Sequence, residues 1–265
     1  MRIMFITGSH PRHKFIANKL HSTGNLSMVI SENRGKLKPD PPVNLDSCLL
    51  ELYNKHFDLR ITNEYKYFGG NKWPDVPLLE INNISELSET IIKKETANLG
   101  VTMLISYGCS KLAKEIVNCI DGDHWNIHGG LSPWYKGSIT HFWPSYMLEP
   151  QMTGFTIHEL TDNLDAGAII HQCVADLKYG QSLHELACDA IIKVGNDLPK
   201  LILLISSGEK IGKKFIRTHG RIWTSNDWRP EHLYLIYKLY KDHIVDLYLD
   251  GTLTQKEPNI YQQKI

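Results

Sequence analysis

The sequence has no net charge and no long hydrophobic run. Its 265 residues contain 29 Lys and Arg against 29 Asp and Glu, so it lacks the basic excess with which dedicated nucleic-acid-binding proteins attract phosphates. The longest uninterrupted apolar run, Leu201 to Ile205, is far shorter than the ~20 residues that span a bilayer. These absences predict a cytoplasmic protein that binds neither nucleic acid nor a membrane.

Paired cysteine spacings and metal-binding motifs are also missing. The five cysteines, at positions 48, 109, 119, 173 and 188, include no CxxC motif, which is typical of reduced thiols rather than of a disulfide framework. Thirteen histidines occur without an HExxH motif or a Cys/His knuckle, so the sequence predicts no metal. No GxGxxG follows the first apolar run, which argues against a nicotinamide-dependent reductase.

Short apolar segments alternate along the chain with segments of helical periodicity. Strands are predicted around 1–8, 26–30, 101–106, 124–128 and 153–158, and helices around 11–20, 46–57, 85–98, 111–120 and 182–205. Strands that alternate with helices predict an α/β fold, in which a parallel sheet is covered on both faces.

The longest predicted helix marks a division of the chain. Ser182 has the capping-box spacing to Glu185, and the helix is expected to end near Gly208. We therefore expect a main domain over 1–207 and a small C-terminal extension over 208–265.

A further helix is predicted from Pro230, within that extension. One of its faces carries Leu233, Ile236, Tyr237 and Tyr240. This face must pack either on the main domain or on another subunit, and the second alternative would give a homodimer.

Three polar residues are placed where they can do chemistry. Asn126 and His128 lie two apart on a predicted strand, so their side chains project to the same side directly before the Gly-rich loop 129–138. Asp165 follows in a turn-forming segment after the next predicted strand. An amide, an imidazole and a carboxylate at strand ends suit a general acid/base site with an oxyanion donor. The alternative is a core histidine with two turn residues that cap their own backbone.

The segments around these residues resemble the folate-dependent formyltransferases. Residues 125–137 read WNIHGGLSPWYKG, residues 154–158 read GFTIH and residues 164–170 read LDAGAII. They contain, in order, the Asn-x-His pair, the Ser-Pro loop and the Asp-x-Gly of that family. The chain is most similar to the sugar N-formyltransferases that act on nucleotide-linked amino-dideoxy sugars, including the pseudaminic-acid-pathway type.

The resemblance implies a fold and a reaction. The fold would be a Rossmann-like, mostly parallel sheet with helices on both faces, which forms the formyltransferase catalytic domain over 1–207. The reaction would transfer a formyl group from N10-formyltetrahydrofolate, the cosubstrate, to a primary amine. Asn126 and protonated His128 would stabilise the oxyanion of the tetrahedral intermediate, and Asp165 would orient His128 or a water that carries the amine proton. The Asp165 carboxylate is expected to raise the pKa of His128.

The resemblance also implies a slot for the pterin ring of the folate. Two segments of main chain would line it. They are Leu104, Ile105, Ser106, Tyr107 and Gly108, and Thr161, Asp162, Asn163 and Leu164.

Three acceptors fit the family: glycinamide ribonucleotide, methionyl-tRNA and a nucleotide-linked amino sugar. Zero net charge and the 57 residues that follow Gly208 disfavour the tRNA branch, and the segment Gly8 to His13 differs from the small-residue phosphate loop of the first branch. We expect a 4-amino-4,6-dideoxy sugar linked to UDP or dTDP, formylated for surface glycan biosynthesis. The alternatives are a phosphoribosylglycinamide or other amine formyltransferase, a formyltetrahydrofolate hydrolase and, less favoured, a non-catalytic sugar-nucleotide-binding protein.

Two segments are candidates for holding the acceptor. Ser9, His10, Arg12 and His13 lie where the first strand meets the first helix, a place where backbone N–H groups attract phosphate; the alternative is a solvated helix start. Trp134, Tyr135 and Lys136 belong to the Gly-rich loop, where the aromatic rings either stack on the acceptor or wedge the loop against the core.

Overall fold

A computed structural model describes residues 1–216 and 220–265. Its strands are β1 (Ile3–Gly8), β2 (Leu26–Glu32), β3 (Leu78–Ile81), β4 (Met103–Tyr107), β5 (Asp123–His128), β6 (Lys136–Gly137), β7 (Gly154–Glu159), β8 (Ile169–Val174) and β9 (Ile222–Trp223). Its α-helices are α1 (Pro11–His21), α2 (Ser47–Phe68), α3 (Glu89–Leu99), α4 (Lys114–Val117), α5 (Trp143–Tyr146), α6 (Leu183–Ser206), α7 (His232–Tyr234) and α8 (Ile244–Leu249). Short 3₁₀ helices cover Ile84–Glu86, Pro150–Met152 and Ser225–Asp227, and a π-helix covers Leu235–Leu239.

Seven strands form one sheet in the order β3-β2-β1-β4-β5-β7-β8. The strands from β3 to β5 are parallel to one another, whereas β7 and β8 are antiparallel additions at one side. β6 and β9 pair separately, in parallel. The predicted α/β fold with a mostly parallel sheet is confirmed.

Strand β1 shows why its sequence is apolar without interruption. Ile3 and Phe5 pack into a core with α1 and α6, whereas Met4 and Ile6 pack into a second core with α3 and α4; none of the four side chains is exposed. Successive side chains of a strand point to opposite faces, so a sheet with two covered faces needs apolar residues at every position. Each such side chain contributes about 1.5–3 kcal/mol when it is buried.

Helix bounds depart from the predictions at three places. The helix predicted over 46–57 continues to Phe68, because no proline or glycine occurs before Gly69, the residue that caps the end of the helix. The helix predicted from residue 85 begins at Glu89, where the Ser88 hydroxyl accepts from the backbone N–H of Ile91. The helix predicted over 111–120 shrinks to α4, because residues 108–113 line a cavity instead.

Two strands of the seven-stranded sheet, β3 and β8, escaped prediction. β3 is only four residues long, and the polar residues His171 and Gln172 interrupt the apolar pattern of β8.

The predicted aromatic face of the C-terminal helix packs within the chain. Leu233, Ile236 and Tyr237 are buried in a core with side chains of α2 and α5. The helix itself is interrupted by the π-helix, and Tyr240 lies at the rim of this core. The face thus packs on the main part of the chain, which is the first of the two alternatives, and the homodimer stays a prediction. The division of the chain at residue 207 stays a prediction.

Within residues 1–216 and 220–265, no helix is both long enough and apolar enough to cross a membrane. Among those residues the five cysteines are unpaired, and no group of three or more His, Cys, Asp or Glu side chains is arranged to hold a metal ion.

The N-terminus of α6 carries a testable contribution to stability. Ser182 and Glu185 form the predicted capping box, with the Ser182 hydroxyl accepting from the Glu185 N–H at 3.3 Å and the Glu185 carboxylate accepting from the Ser182 N–H at 3.2 Å. Ser182→Ala should lower the free energy of unfolding by about 1 kcal/mol, measured by urea denaturation. Ser207→Ala, beyond the other end of the helix, is the matched control and should stay within about 0.5 kcal/mol. Equal losses in the two variants would contradict the capping role.

Candidate active site

Three side chains lie side by side where neighbouring strands of the sheet end. Ser106 on β4, Asn126 on β5 and His158 on β7 are paired in register. The Ser106 hydroxyl donates to Asn126 Oδ1 at 2.9 Å, and Asn126 Nδ2 lies 3.2 Å from His158 Nε2. His158 Nδ1 donates to the carbonyl of Glu159 at 2.8 Å, and its Nε2 faces both the Asn126 amide and Asp165. This row fixes the orientation of the Asn126 amide and leaves it one N–H for a ligand.

Asp165 lies between two imidazole rings. His128 Nδ1 is 3.4 Å from Asp165 Oδ2, and His158 Nε2 is 3.4 Å from Asp165 Oδ1. The backbone N–H of Gly137 donates to Asp165 Oδ2 at 2.7 Å. His128 Nε2 lies 2.7 Å from the carbonyl oxygen of Tyr135. Asn126, His128 and Asp165, which were predicted as one group, are thus brought together, with His158 joining them.

Burial and charge act in opposite directions on the pKa values of this group. Burial of the Asp165 carboxyl would raise its pKa, but the charge of His128, the contact with His158 and the Gly137 N–H together lower it to about 2. For His128, burial lowers the pKa more than Asp165 raises it. The expectation that the pKa of His128 is raised is therefore wrong for the unliganded protein. Acceptors nevertheless face both ring nitrogens, so His128 can take up a proton without moving.

Gly137 is required at its position by backbone geometry. Its φ is 93°, a region that other residues rarely adopt, and a Cβ atom there would collide with the carbonyl of Trp223. The same glycine donates to Asp165 and pairs with β9. The Gly-rich loop therefore ends at a point where it both joins β9 and holds the carboxylate.

A cavity of about 910 Å³ opens beside this group. It is lined by Asn126, His128, Asp165 and His158, and by seven of the nine residues predicted to bind the pterin: Ser106, Tyr107, Gly108, Thr161, Asp162, Asn163 and Leu164. The prediction is wrong for Leu104 and Ile105. Both are fully buried within β4, where their side chains belong to the two cores and their backbones pair with β1 and β5.

A smaller cavity of about 320 Å³ adjoins the large one. The two share Tyr107, Gly108, Gly129 and Thr140 as lining residues. Buried in this region are two imidazole nitrogens, Nε2 of His13 and Nε2 of His141, that have no hydrogen-bond partner among the described residues. Polar atoms of this kind are normally paired when they are buried, and both belong to side chains that line the small cavity.

The residues predicted at the start of α1 separate into two groups. Arg12 and His13 line the small cavity, whereas Ser9 and His10 line a third cavity of about 710 Å³ on the other side of the helix start. Arg12 is bound to Glu64, with Nη1 at 3.0 Å from Oε2 and the backbone N–H donating to Oε1 at 2.9 Å. The four residues therefore do not form one phosphate site.

The predicted acceptor residues of the Gly-rich loop lie outside both adjoining cavities. Trp134 is exposed and lines a separate groove with Phe215 and Tyr261. Tyr135 and Lys136 are buried. The Tyr135 ring stacks on Trp223 and its hydroxyl donates to Glu149. The packing of Tyr135 thus fits the second of the two predictions, in which the aromatic ring wedges the loop against the core.

Prediction from the sequence missed three residues that line these cavities. His158 closes the segment GFTIH, but only the antiparallel pairing of β7 with β5 places it opposite Asn126. Arg60 and Glu64 lie in the part of α2 beyond the predicted helix end. The absence of any helix-breaking residue before Gly69 was the available signal.

The depressed pKa of Asp165 is directly measurable. Its carboxylate should stay ionised as the pH falls through 4, the ordinary range for Asp, and should take up its proton only near pH 2. The ionised form therefore contributes stability above about pH 4, and this contribution is lost as the pH falls toward 2. A ¹³C NMR titration of the carboxyl carbons, with the signal assigned by Asp165→Asn, measures the midpoint. A midpoint at or above pH 4 would contradict the described contacts.

Sequence comparison relates the chain to formyl transferases. Residues 74–192 match the family model for the formyl transferases. The chain is 22% identical over 134 residues to the methionyl-tRNA formyltransferase of Gloeothece citriformis, and 31% identical over 111 residues to the trifunctional purine biosynthetic protein adenosine-3 of Bos taurus. These matches cover 51% and 40% of the chain, but only 40% and 10% of the relatives' own lengths.

Structure comparison finds the same fold in three further formyltransferases. Phosphoribosylglycinamide formyltransferase from Anaplasma phagocytophilum has a TM-score of 0.56 at 18% identity, with 85% of this chain and 98% of that chain covered. An N-formyltransferase from Helicobacter canadensis, solved with folinic acid and dTDP-3-aminofucose, has a TM-score of 0.54 at 16% identity, with 86% and 73% covered. The formyltransferase PseJ from Anoxybacillus kamchatkensis, solved with UDP-4,6-dideoxy-4-formamido-L-AltNAc and tetrahydrofolate, has a TM-score of 0.52 at 18% identity, with 92% and 97% covered.

The family-matched segment contains all of the residues that form the site's polar group on β5, on β7 and in the following loop. The predicted resemblance of this chain to the folate-dependent formyltransferases is therefore confirmed.

Proposed function

We propose that the chain transfers a formyl group from N10-formyltetrahydrofolate to the primary amine of a nucleotide-linked 4-amino-4,6-dideoxy sugar. The product would be a formamido sugar for surface glycan biosynthesis. One observation carries the proposal: the cavity that contains Asn126, His128 and Asp165 adjoins a second cavity across Gly108 and Gly129. A transferase with two substrates needs two such sites that meet at the reacting atoms.

The large cavity suits the folate. Its volume of about 910 Å³ is within the range of sites for cofactor-sized ligands. Gly108, at φ 64°, has no room for a Cβ because His13 lies against it, so glycine is required where the main chain borders this cavity. N10-formyltetrahydrofolate supplies an activated formyl group, and the segments 106–108 and 161–164 would hold its pterin ring.

The polar group of the site fits the needs of formyl transfer. The acceptor nitrogen bonds to the formyl carbon as the bond from that carbon to N10 breaks; the amine loses a proton and N10 gains one. Negative charge develops on the formyl oxygen, where the free N–H of Asn126 can donate. His128 adds positive charge once it is protonated, and Asp165 stabilises that imidazolium.

The known ligands of similar structures support a sugar acceptor. PseJ was solved with a UDP-linked formamido sugar and the Helicobacter canadensis enzyme with a dTDP-linked amino sugar. The likeness to phosphoribosylglycinamide formyltransferase makes glycinamide ribonucleotide the second candidate. An acceptor panel decides between UDP and dTDP as the nucleotide and between the possible configurations of the sugar.

An acceptor panel tests the proposed reaction. The protein is mixed with N10-formyltetrahydrofolate and with UDP- and dTDP-linked amino-dideoxy sugars, glycinamide ribonucleotide or no acceptor, and tetrahydrofolate release is followed. We expect release that depends on a nucleotide-linked amino sugar. Release without any acceptor would indicate a hydrolase, release with glycinamide ribonucleotide alone would indicate the second candidate, and no release would exclude the proposed transferase.

Substitution of the proposed catalytic residues should slow the reaction. His128→Ala and Asp165→Ala should each lower kcat by at least roughly 100-fold, because they remove charge stabilisation and proton handling at the formyl group. His243 is an exposed histidine that is distant in the sequence from His128 and Asp165. His243→Ala is therefore the control and should retain wild-type turnover. Near-normal kcat in either of the first two variants would remove that residue from the catalytic role.

A further inference from the structure

One face of α2 contributes polar side chains to the small cavity. His56, Arg60 and Glu64 recur at intervals of four residues, so they share one side of the helix. They face α6, from which His184 and Cys188 line the same cavity. The cavity is therefore closed by two long helices on one side and by the shared residues Gly108 and Gly129 on the other.

The cations and carboxylates of this cavity do not balance. Arg12 and Arg60 line it, and Glu64 is the only carboxylate among its described lining residues. Both Glu64 oxygens are occupied by Arg12, one by its guanidinium and the other by its backbone N–H. No carboxylate of the described residues lies within ion-pair distance of Arg60. Arg60 is thus a partly buried cation with no ion-pair partner among the described residues, and Glu64, one turn along α2, attracts it only at longer range.

The histidines of the cavity add donors rather than charge. Burial lowers the pKa values of His13 and His56, and it lowers those of His141 and His184 to about 3. The N–H of His10 donates to His13 Nδ1 at 3.0 Å, so the proton of neutral His13 is on Nε2. His13 is 1% exposed, and its Nε2 has no partner among the described residues.

We infer that Arg60, with the Nε2–H of His13, binds an anionic oxygen group of the acceptor: a phosphate or a carboxylate. The Arg60 guanidinium and the Nε2–H of His13 are donors, and an anionic oxygen is the acceptor that these two groups lack. The cavity of about 320 Å³ can hold a hexose ring with one charged substituent, so the rest of a nucleotide would extend outside it. Because this cavity adjoins the large one across Gly108 and Gly129, the anion would fix the sugar with its amine beside His128. This inference rests on the proposed function.

Removal of Arg60 and removal of Arg12, the other cation of the small cavity, should affect the stability of the fold differently. Loss of Arg12 would leave the buried Glu64 without its partner and would destabilise the fold. Loss of Arg60 removes a cation that pairs with no carboxylate of the described residues, so the folded protein should be as stable as before or more stable. Stability and substrate binding therefore report separately on Arg60.

Arg60→Gln tests the inference in the intact enzyme. With the nucleotide-linked amino sugar that the wild type uses, KM for the sugar should rise roughly 10-fold to 100-fold. The KM for N10-formyltetrahydrofolate should change less than about 2-fold, and the melting temperature should not fall. Arg60→Lys, which keeps the charge, should recover part of the sugar KM. Arg229→Gln, an exposed arginine outside the small cavity, is the matched control and should behave as wild type.

Two further measurements identify the anion that Arg60 binds. KM is measured for the same amino sugar in three forms: as the free sugar, as its 1-phosphate and with a carboxylate substituent. Only the anionic form that Arg60 binds should lose affinity in Arg60→Gln. Inorganic pyrophosphate should compete with a phosphate-bearing sugar, and its inhibition constant should rise in Arg60→Gln and less in Arg60→Lys. An unchanged sugar KM in Arg60→Gln, or an equal rise in Arg229→Gln, would overturn the inference. Failure of the wild type to formylate any sugar would instead overturn the proposed function.

Discussion

The buried carboxylate of Asp165 is the constraint on which the site depends. A carboxylate that is 6% exposed must be surrounded by donors or positive charge. The chain supplies these from three places: His128 at the end of β5, His158 at the end of β7 and the Gly137 N–H in the loop between them. The antiparallel pairing of β7 with β5 and the pairing of β6 with β9 therefore both serve to build one electrostatic arrangement.

The two adjoining cavities differ in their lining, and this difference determines which kind of ligand each of them suits. The larger cavity has main-chain groups of two loops on its walls and suits a flat heterocycle, whereas the smaller one has buried side chains that donate hydrogen bonds and suits a polar, anionic ligand. They meet at Gly108 and Gly129, next to His128. Under the proposed function, a formyl group bound on one side of this boundary would be within reach of an amine on the other, and each substrate would keep its own binding groups.

The sequence predicts much of the sheet and the grouping of Asn126, His128 and Asp165, because these depend largely on local patterns. The continuous apolar residues of β1 need two covered faces, and the spacing of Asn126 and His128 places both at one strand end. Long-range pairing is harder to predict: His158 enters the site through its register with Asn126, and Lys136 is buried because β6 pairs with a segment more than eighty residues away. Arg12 was predicted to meet a ligand but is held by Glu64, whose helix extends past its predicted end.

The central claim is that this site moves a formyl carbon from a folate to a sugar nitrogen. The most direct measurement follows that carbon by NMR, with N10-formyltetrahydrofolate labelled with ¹³C in the formyl group and a nucleotide-linked amino-dideoxy sugar as acceptor. The account predicts that the label appears as a formamide on the sugar, at a rate that depends on the enzyme and on both substrates. Label that appears only as free formate, or that stays on the folate with every amino sugar, would contradict it.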